Sequence, residues 1–380
     1  MKHSNRLLYS LLSLQGLSLI GSRITSIAVG IWVVLETGSV TPLLMISLFH
    51  ELPLLLLGTG IGWVVDRWKR KTAIIVGDIG QAICTVILIT CLVFGSFELW
   101  YLYFIVSIQG IFAALQSTAT AALIPLMTDD SQLDRANSAK EMLFPLAGVI
   151  SPFIAGMLIE PIGLIGIVII DAVSFAICIG VTVFLPLPEI KNSVSNKHDE
   201  KPWVEAVQGY RYIWKHKPLL YLFLYFALWD FILNGPLELA IPFFISITES
   251  NDVMSWLLSV MNAGALAGAI LAVTWGDFRY KIKFIFIGSI LTSSMFVLVG
   301  GSQHVWVMAM ALFLLMLPLA MTGALFSSLL QRNTPQAMHG RIFAAYGQLT
   351  ALTAPCLFSL RAPWSIECLN PLCKRKGGRG

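Results

Sequence analysis

A charge surrounded by hydrocarbon costs several kcal/mol unless it is paired or faces a wet cavity. The ionisable side chains that interrupt long apolar runs are therefore the first candidates for chemistry: Arg23, Glu51, Asp78, Asp171 and Asp230. Asn234 and Glu238 follow Asp230 at four-residue steps, which puts the three on one helix face, and Pro236 frees a carbonyl in the same run. Arg23 needs an acid, which Glu51 or Asp78 could supply. A leftover acid walled in by apolar side chains binds a proton more readily than one in water, so it could take a proton from one side of a membrane and release it on the other. Asp230, then Glu51, is the candidate for that role. A structural ion pair is the competing reading for each acid, and helix packing is the heavier one for Asp171. Trp32, Trp229, Phe231, Gln109, Gln116, Met261 and Asn262 would line the cavity around them, since aromatic and Met surfaces suit bulky amphipathic ligands.

A second group sits between two apolar runs, in residues 62–71, GWVVDRWKRK. Gly62, Asp66, Arg67, Arg70 and Lys71 combine a close-packing residue, one acid and several bases. Bases alone would serve as an orientation anchor, but that does not explain the Gly–Asp spacing. Asp66 is expected to act as a charge latch across a seam between moving parts.

The elements that hold these residues are membrane spans. The chain of 380 residues is 57% hydrophobic and 12% charged, about half the charged share of a soluble domain. Its apolar residues fall in unbroken runs rather than stripes. At about 20 residues per crossing, spans are expected at 8–35, 41–65, 73–94, 99–125, 142–160, 162–185, 219–246, 253–275, 282–300, 304–330 and, weakly, 342–360. The first run follows Lys2 and Arg6 like a signal peptide, but it is too long and lacks a small-residue cleavage site, so it reads as a retained span. A net charge of +4 gives no reason to expect nucleic acid. The six cysteines have no zinc or disulfide spacing. His50-Glu51 lacks the second His of a metalloprotease motif, and no phosphate-binding loop occurs. No metal, cofactor or ATP is expected, and no enzyme chemistry.

With the N-terminus in the cytoplasm, most of the 25 Lys and Arg fall on cytoplasmic loops, while outer loops carry Glu98, Glu160, Glu249 and Asp252. That is the positive-inside rule, and it implies a multi-pass protein of the inner (plasma) membrane. The longest polar stretch, 186–218, reads as a cytoplasmic linker ending in an amphipathic surface helix, WVEAVQGYRYIWK. It divides a six-span half, 1–185, from a second, incomplete half, 219–360. The last stretch, 361–380, is basic and aberrant. Either the eleventh run does not cross, or the chain has a truncated or frame-shifted end, and the second reading is preferred.

Six spans, a polar linker and a second set of spans resemble the major facilitator superfamily, and residues 62–71 resemble its loop signature G-x-x-x-D-R-x-x-R-[RK] without a gap. TGSVTP, LIPLMTDDSQLDRANS and IIDAVSF look like the drug-exporter branch that includes macrolide-efflux and enterobactin-exporter proteins. The resemblance covers residues 1 to about 355. Gly148, Pro152 and Gly156 in GVISPFIAG resemble the glycine-proline motif of the antiporters, although small residues at that spacing also serve ordinary helix packing. In the second half GDFRYKIK (276–283) echoes the 62–71 loop, and NTPQAMHGRIFAAY (333–346) echoes DDSQLDRANSAKEM (129–142), as repeated halves would.

The resemblance implies an all-α membrane bundle of two halves, with about 11 spans and the twelfth missing. It also implies a monomer that exports a small amphipathic or hydrophobic compound by alternating access, with protons as counter-substrate. A non-transporting, truncated membrane relative is the alternative, and nutrient uptake a weaker one.

Overall fold

The computed structural model describes residues 2–37, 41–94, 98–188, 202–248, 251–276, 278, 280–302 and 304–351. Lipid offers no hydrogen bonds to a backbone, so each apolar run satisfies its own as a helix. No strand occurs among the described residues. The helices are α1 (Lys2–Thr37), α2 (Thr41–Arg67), α3 (Arg70–Val93), α4 (Leu99–Met127), α5 (Leu133–Phe184), α6 (Pro202–Lys215), α7 (Lys217–Thr248), α8 (Asn251–Trp275), α9 (Lys281–Gly301), α10 (Val305–Arg332) and α11 (His339–Ala351). Eight described helices are long and apolar enough to cross a membrane, or nine if the bent pair α6–α7 counts as one span.

α5 enters that tally once, yet its 52 residues extend about 80 Å, more than twice a hydrocarbon core. Gly163 breaks it, at φ 66° and ψ −177°, in a region open essentially to glycine alone. The runs expected at 142–160 and 162–185 are the two arms of this element. No atom of the described residues lies within 4 Å of a Cβ built at Gly163, so a side chain there strains only the backbone. Gly163→Ala should cost about 1–3 kcal/mol, seen as a lower melting temperature of the detergent-solubilised protein.

The first arm starts at Leu133 rather than 142 because the polar run LDRANSAKE continues the helix. Asp134, Asn137 and Ser138 are buried there against other helices, so a stretch that reads as loop by composition is helical by its contacts. The run expected at 342–360 begins at His339, and residues 352–380 lie outside the described part.

The bundle has two halves with separate cores. Leu8, Leu11, Ile74, Leu123 and Ile124 fill the first, from α1, α3 and α4. Phe223, Phe226, Phe326 and Ile342 dominate the second, from α7, α10 and α11, where the rings of Phe226 and Phe326 lie 4.0 Å apart. The halves meet where α2 runs beside α11 and α5 beside α8 and α10. One end of the bundle carries two ion-pair clusters, Arg70 and Arg341 on Asp66 and Lys281 and Arg332 on Asp134, and is called the base-rich end below. There α6 turns from α7 by 110°, which lays it across the spans.

Candidate functional site

At the base-rich end the seam is built on one acid and two glycines. A helix N-terminus has unpaired N–H groups and a partial positive charge, and the start of α11 points both at Asp66. Gly340 N donates to Asp66 Oδ1 at 2.7 Å and Arg341 N to Oδ2 at 3.1 Å. The Arg70 guanidinium donates to Oδ1 at 3.0 Å, and the Asp66 and Arg70 side chains are each only 2% exposed. A Cβ on Gly62 would lie 2.7 Å from Arg341 Cα and Gly340 O, and one on Gly340 would lie 2.7 Å from Gly62 O. Gly62 stands one turn before Asp66, so the same face that presents the carboxylate also admits the helix it caps. Gly62, Asp66 and Arg70 therefore meet at the seam.

The other two bases of that group turn elsewhere. Arg67 lies 4.6 Å over the Trp63 ring, and Lys71 donates to the carbonyls of Val183 and Leu185 at the end of α5. His339 is buried beside the seam with Nε2 3.1 Å from Thr334 O. Burial lowers its pKa from the ordinary histidine value, and the Arg70 charge lowers it further.

A second bolt, unmarked in the sequence reading, lies between α5 and the second half. Asp134, fully buried, accepts from Phe278 N at 3.3 Å and from the Lys281 ammonium, with Arg332 Nη2 at 3.6 Å. One turn on, Asn137 Nδ2 donates to Gln331 Oε1 at 2.6 Å while Gln331 Nε2 donates back to Asn137 Oδ1 at 3.2 Å. The signal that could have found this was the internal repeat. Residues 129–142 and 333–346 both pass through a short 3-10 turn (Asp130–Gln132 and Gln336–Met338) into a helix that docks on the opposite half.

Between the halves lies a cavity of about 590 Å³. Its walls include apolar Phe144, Phe175 and Met316, and the polar groups Gln15, Gln116, Lys140, Glu141, Asp230 and Tyr346. Asp230 Oδ2 accepts from the Tyr346 hydroxyl at 2.8 Å, and Lys140 pairs with Glu141 at 3.3 Å. Asp230 and Gln116 are among the candidates from the sequence; Lys140 and Glu141, in a stretch that reads as loop, and Tyr346, near the start of the 342–360 run, are not.

Two of the other mid-span acids stand behind this wall. Gln116, itself on the cavity, donates to Asp78 Oδ1 at 2.8 Å, with Cys178 Sγ 3.7 Å from Oδ2. Ser22, also on the cavity, donates to Asp171 Oδ1 at 2.9 Å, and Thr85 donates to Oδ2 at 3.3 Å. Glu51 does not join them: it contacts His50 at 3.3 Å with its side chain 47% exposed. The expected acid partner of Arg23 is corrected by the structure. Its guanidinium lies 3.8 Å over the Phe144 ring, and no carboxylate pairs with it among the described residues, because Asp78 is already held by Gln116 and Cys178.

Asn234 and Glu238 belong to α7, but their side chains lie outside the described residues. Gly148 packs against the Asn262 amide, whereas Pro152 and Gly156 are exposed, with no atom of the described residues within 4 Å of a Cβ at Gly156. Of the residues expected to line the cavity, Trp32 borders a separate hollow with Glu36 and Gly163, Trp229 stacks on Tyr225 and Met261 packs into the Leu257–Met308 core.

Three comparisons bear on this arrangement. The sequence profile of the Major Facilitator Superfamily matches residues 11–356. Macrolide efflux protein A of Streptococcus pyogenes is 25% identical over 91% of this chain and 86% of its own length. The multidrug efflux pump Tap of Mycolicibacterium fortuitum is 23% identical over 90% and 85%. Among solved structures, a bacterial homologue of the iron transporter ferroportin in the outward-facing state superposes with a TM-score of 0.71 at 16% identity, covering 93% of this chain and 91% of that one. That likeness speaks to the fold.

Proposed function

Because the chain belongs to the major facilitator superfamily, whose members are membrane transporters rather than enzymes, we propose that it exports small amphipathic or hydrophobic compounds, macrolide-like ones among them, in exchange for protons. The carrying observation is a carboxyl group, Asp230, in a 590 Å³ cavity whose base-rich end is sealed by bonds between the two halves. The volume lies within the range of ligand pockets. The efflux names of the similar proteins support the substrate class.

In this reading the base-rich end faces the cytoplasm, as the positive-inside rule requires, and the N-terminus lies there too. The geometry is the state sealed toward the cytoplasm. Asp230 takes a proton from outside, the seams at Asp66 and Asp134 part as the halves rock about the cavity, and the proton leaves inward as substrate enters. Asp78 and Asp171, each joined to the cavity by one hydrogen-bonding side chain, are secondary proton holders. Residues 1–185 and 219–360 are the moving halves and 186–218 their linker. Both halves wall one cavity, so a single chain is the working unit.

Efflux of a dye and macrolide panel from cells expressing the chain tests the proposal. Accumulation below that of empty cells, restored by a protonophore, is the expected result. Accumulation equal to empty cells for every compound would overturn export, and efflux indifferent to the protonophore would overturn proton coupling.

A further inference from the structure

The linker helix α6 is bound to both halves at the seam, and its opposite face is turned away from them. Tyr210 donates to Gln348 Oε1 at 2.7 Å, and the same amide accepts from Thr59 at 2.8 Å and donates to Leu55 O at 2.7 Å. α6 is thus joined through one side chain of α11 to α2. Arg341, which contacts Asp66, donates from Nη1 to Gln208 Oε1 at 2.8 Å. A Cβ on Gly209 would lie 2.9 Å from Arg341 Cβ, so the helix rests directly on the latch. The inward face is Gly209 and Ile213.

The outward face follows the helical repeat, Val207, Arg211, Trp214 and Lys215, and Lys217, also exposed, opens α7 directly after it. Trp214 is 76% exposed. No carboxylate pairs with these three bases among the described residues. The 110° turn from α7 sets the helix across the spans, at the level where lipid headgroups lie. An exposed tryptophan flanked by bases is suited to that depth, with the ring among the headgroups and the charges against anionic ones.

We propose that this face of α6 is a docking surface for anionic phospholipid headgroups, and that docking holds the seam closed through Tyr210–Gln348 and Gln208–Arg341. Lipid charge then regulates the gate, whatever the cavity carries. A headgroup that fixes α6 also fixes the two α11 side chains, Arg341 and Gln348, that bind it, and with them the N–H groups that cap Asp66. Loss of the lipid frees the helix and leaves the α2–α11 contact to its own bonds.

The test uses the purified full chain in nanodiscs of phosphatidylcholine, with or without one third phosphatidylglycerol. Native mass spectrometry reads lipid preference, and hydrogen exchange reads the Gly340 and Arg341 amides. Phosphatidylglycerol should bind in preference and slow that exchange. The triple variant Arg211→Gln, Lys215→Gln, Lys217→Gln should lose about fivefold in preference per base and lose the slowing, while Lys283→Gln, a base exposed on α9, keeps both. Gln208→Ala with Tyr210→Phe, which removes both links, should keep the lipid preference but lose the slowing. The proposal fails if the triple variant prefers phosphatidylglycerol as the native chain does. It also fails if exchange is equal in the two lipids, or if inorganic phosphate over phosphatidylcholine slows it equally.

Discussion

Asp230→Asn is expected to abolish the steady substrate gradient while leaving the protein folded and able to bind its cargo. Each elementary charge crossing 100 mV supplies about 2.3 kcal/mol, enough to sustain a gradient of roughly fortyfold. If Asp230 is the group that carries the proton, the amide removes that supply altogether, and accumulation should rise to the level seen with a protonophore. Asn keeps the size of the side chain and can still accept from the Tyr346 hydroxyl, so dye binding in detergent should change little. Exchange of labelled for unlabelled substrate across vesicles, which needs no proton, should persist. Wild-type gradients in the asparagine variant would transfer the proton to the acids behind the wall, and Asp78→Asn with Asp171→Asn would then be the decisive pair.

Asp66→Asn should act on the gate instead. The carboxylate takes two backbone N–H bonds and two guanidiniums. Its neutral replacement leaves Arg70 as a buried cation, with Nε and Nη1 already lacking partners among the described residues. Removing one member of such a pair costs about 3–5 kcal/mol, here taken from the sealed state alone, because a parted seam lets water reach Arg70. The variant should reach the membrane in normal amount and transport at least about tenfold more slowly. The Gly340 and Arg341 amides should exchange faster in it. Efflux at the native rate with unchanged exchange would remove Asp66 from the gating cycle. Asp66→Glu, which retains the charge but must fit beside the Gly62–Gly340 crossing, should recover part of the loss.

Local spacing made one seam legible and hid the other. Gly62, Asp66 and Arg70 stand four residues apart across the end of α2 and the start of α3, so a ten-residue window contains the glycine, the acid and the base that meet at α11. Asp134 finds its donors 144 and 147 residues away, and no window spans them; only the repeat between residues 129–142 and 333–346 pointed to the place. Polarity also misled. Asp134, Asn137, Lys140 and Glu141 read as loop because they are charged or amidic, yet they are helical because the partner half pairs with Asp134 and Asn137 and Lys140 and Glu141 line the cavity. Apolar run length was enough for the all-helical bundle and most helix ends. It put a gap between 160 and 162, beside the break at Gly163, but could not tell that Arg23 would rest on an aromatic face rather than an acid.

The Asn137–Gln331 pair and the bonds around it have a consequence for reversibility. A closure made of apolar surface gains its strength from expelled solvent and resists re-entry; one made of amides, carboxylates and N–H groups meets incoming water as a substitute partner. Breaking such a bond costs about 4–6 kcal/mol in a dry medium but only about 0.5–1.5 once water replaces the partner. The sealed and parted forms can thus remain within a few kcal/mol of each other, a gap that the binding of one proton or one ligand molecule is able to invert.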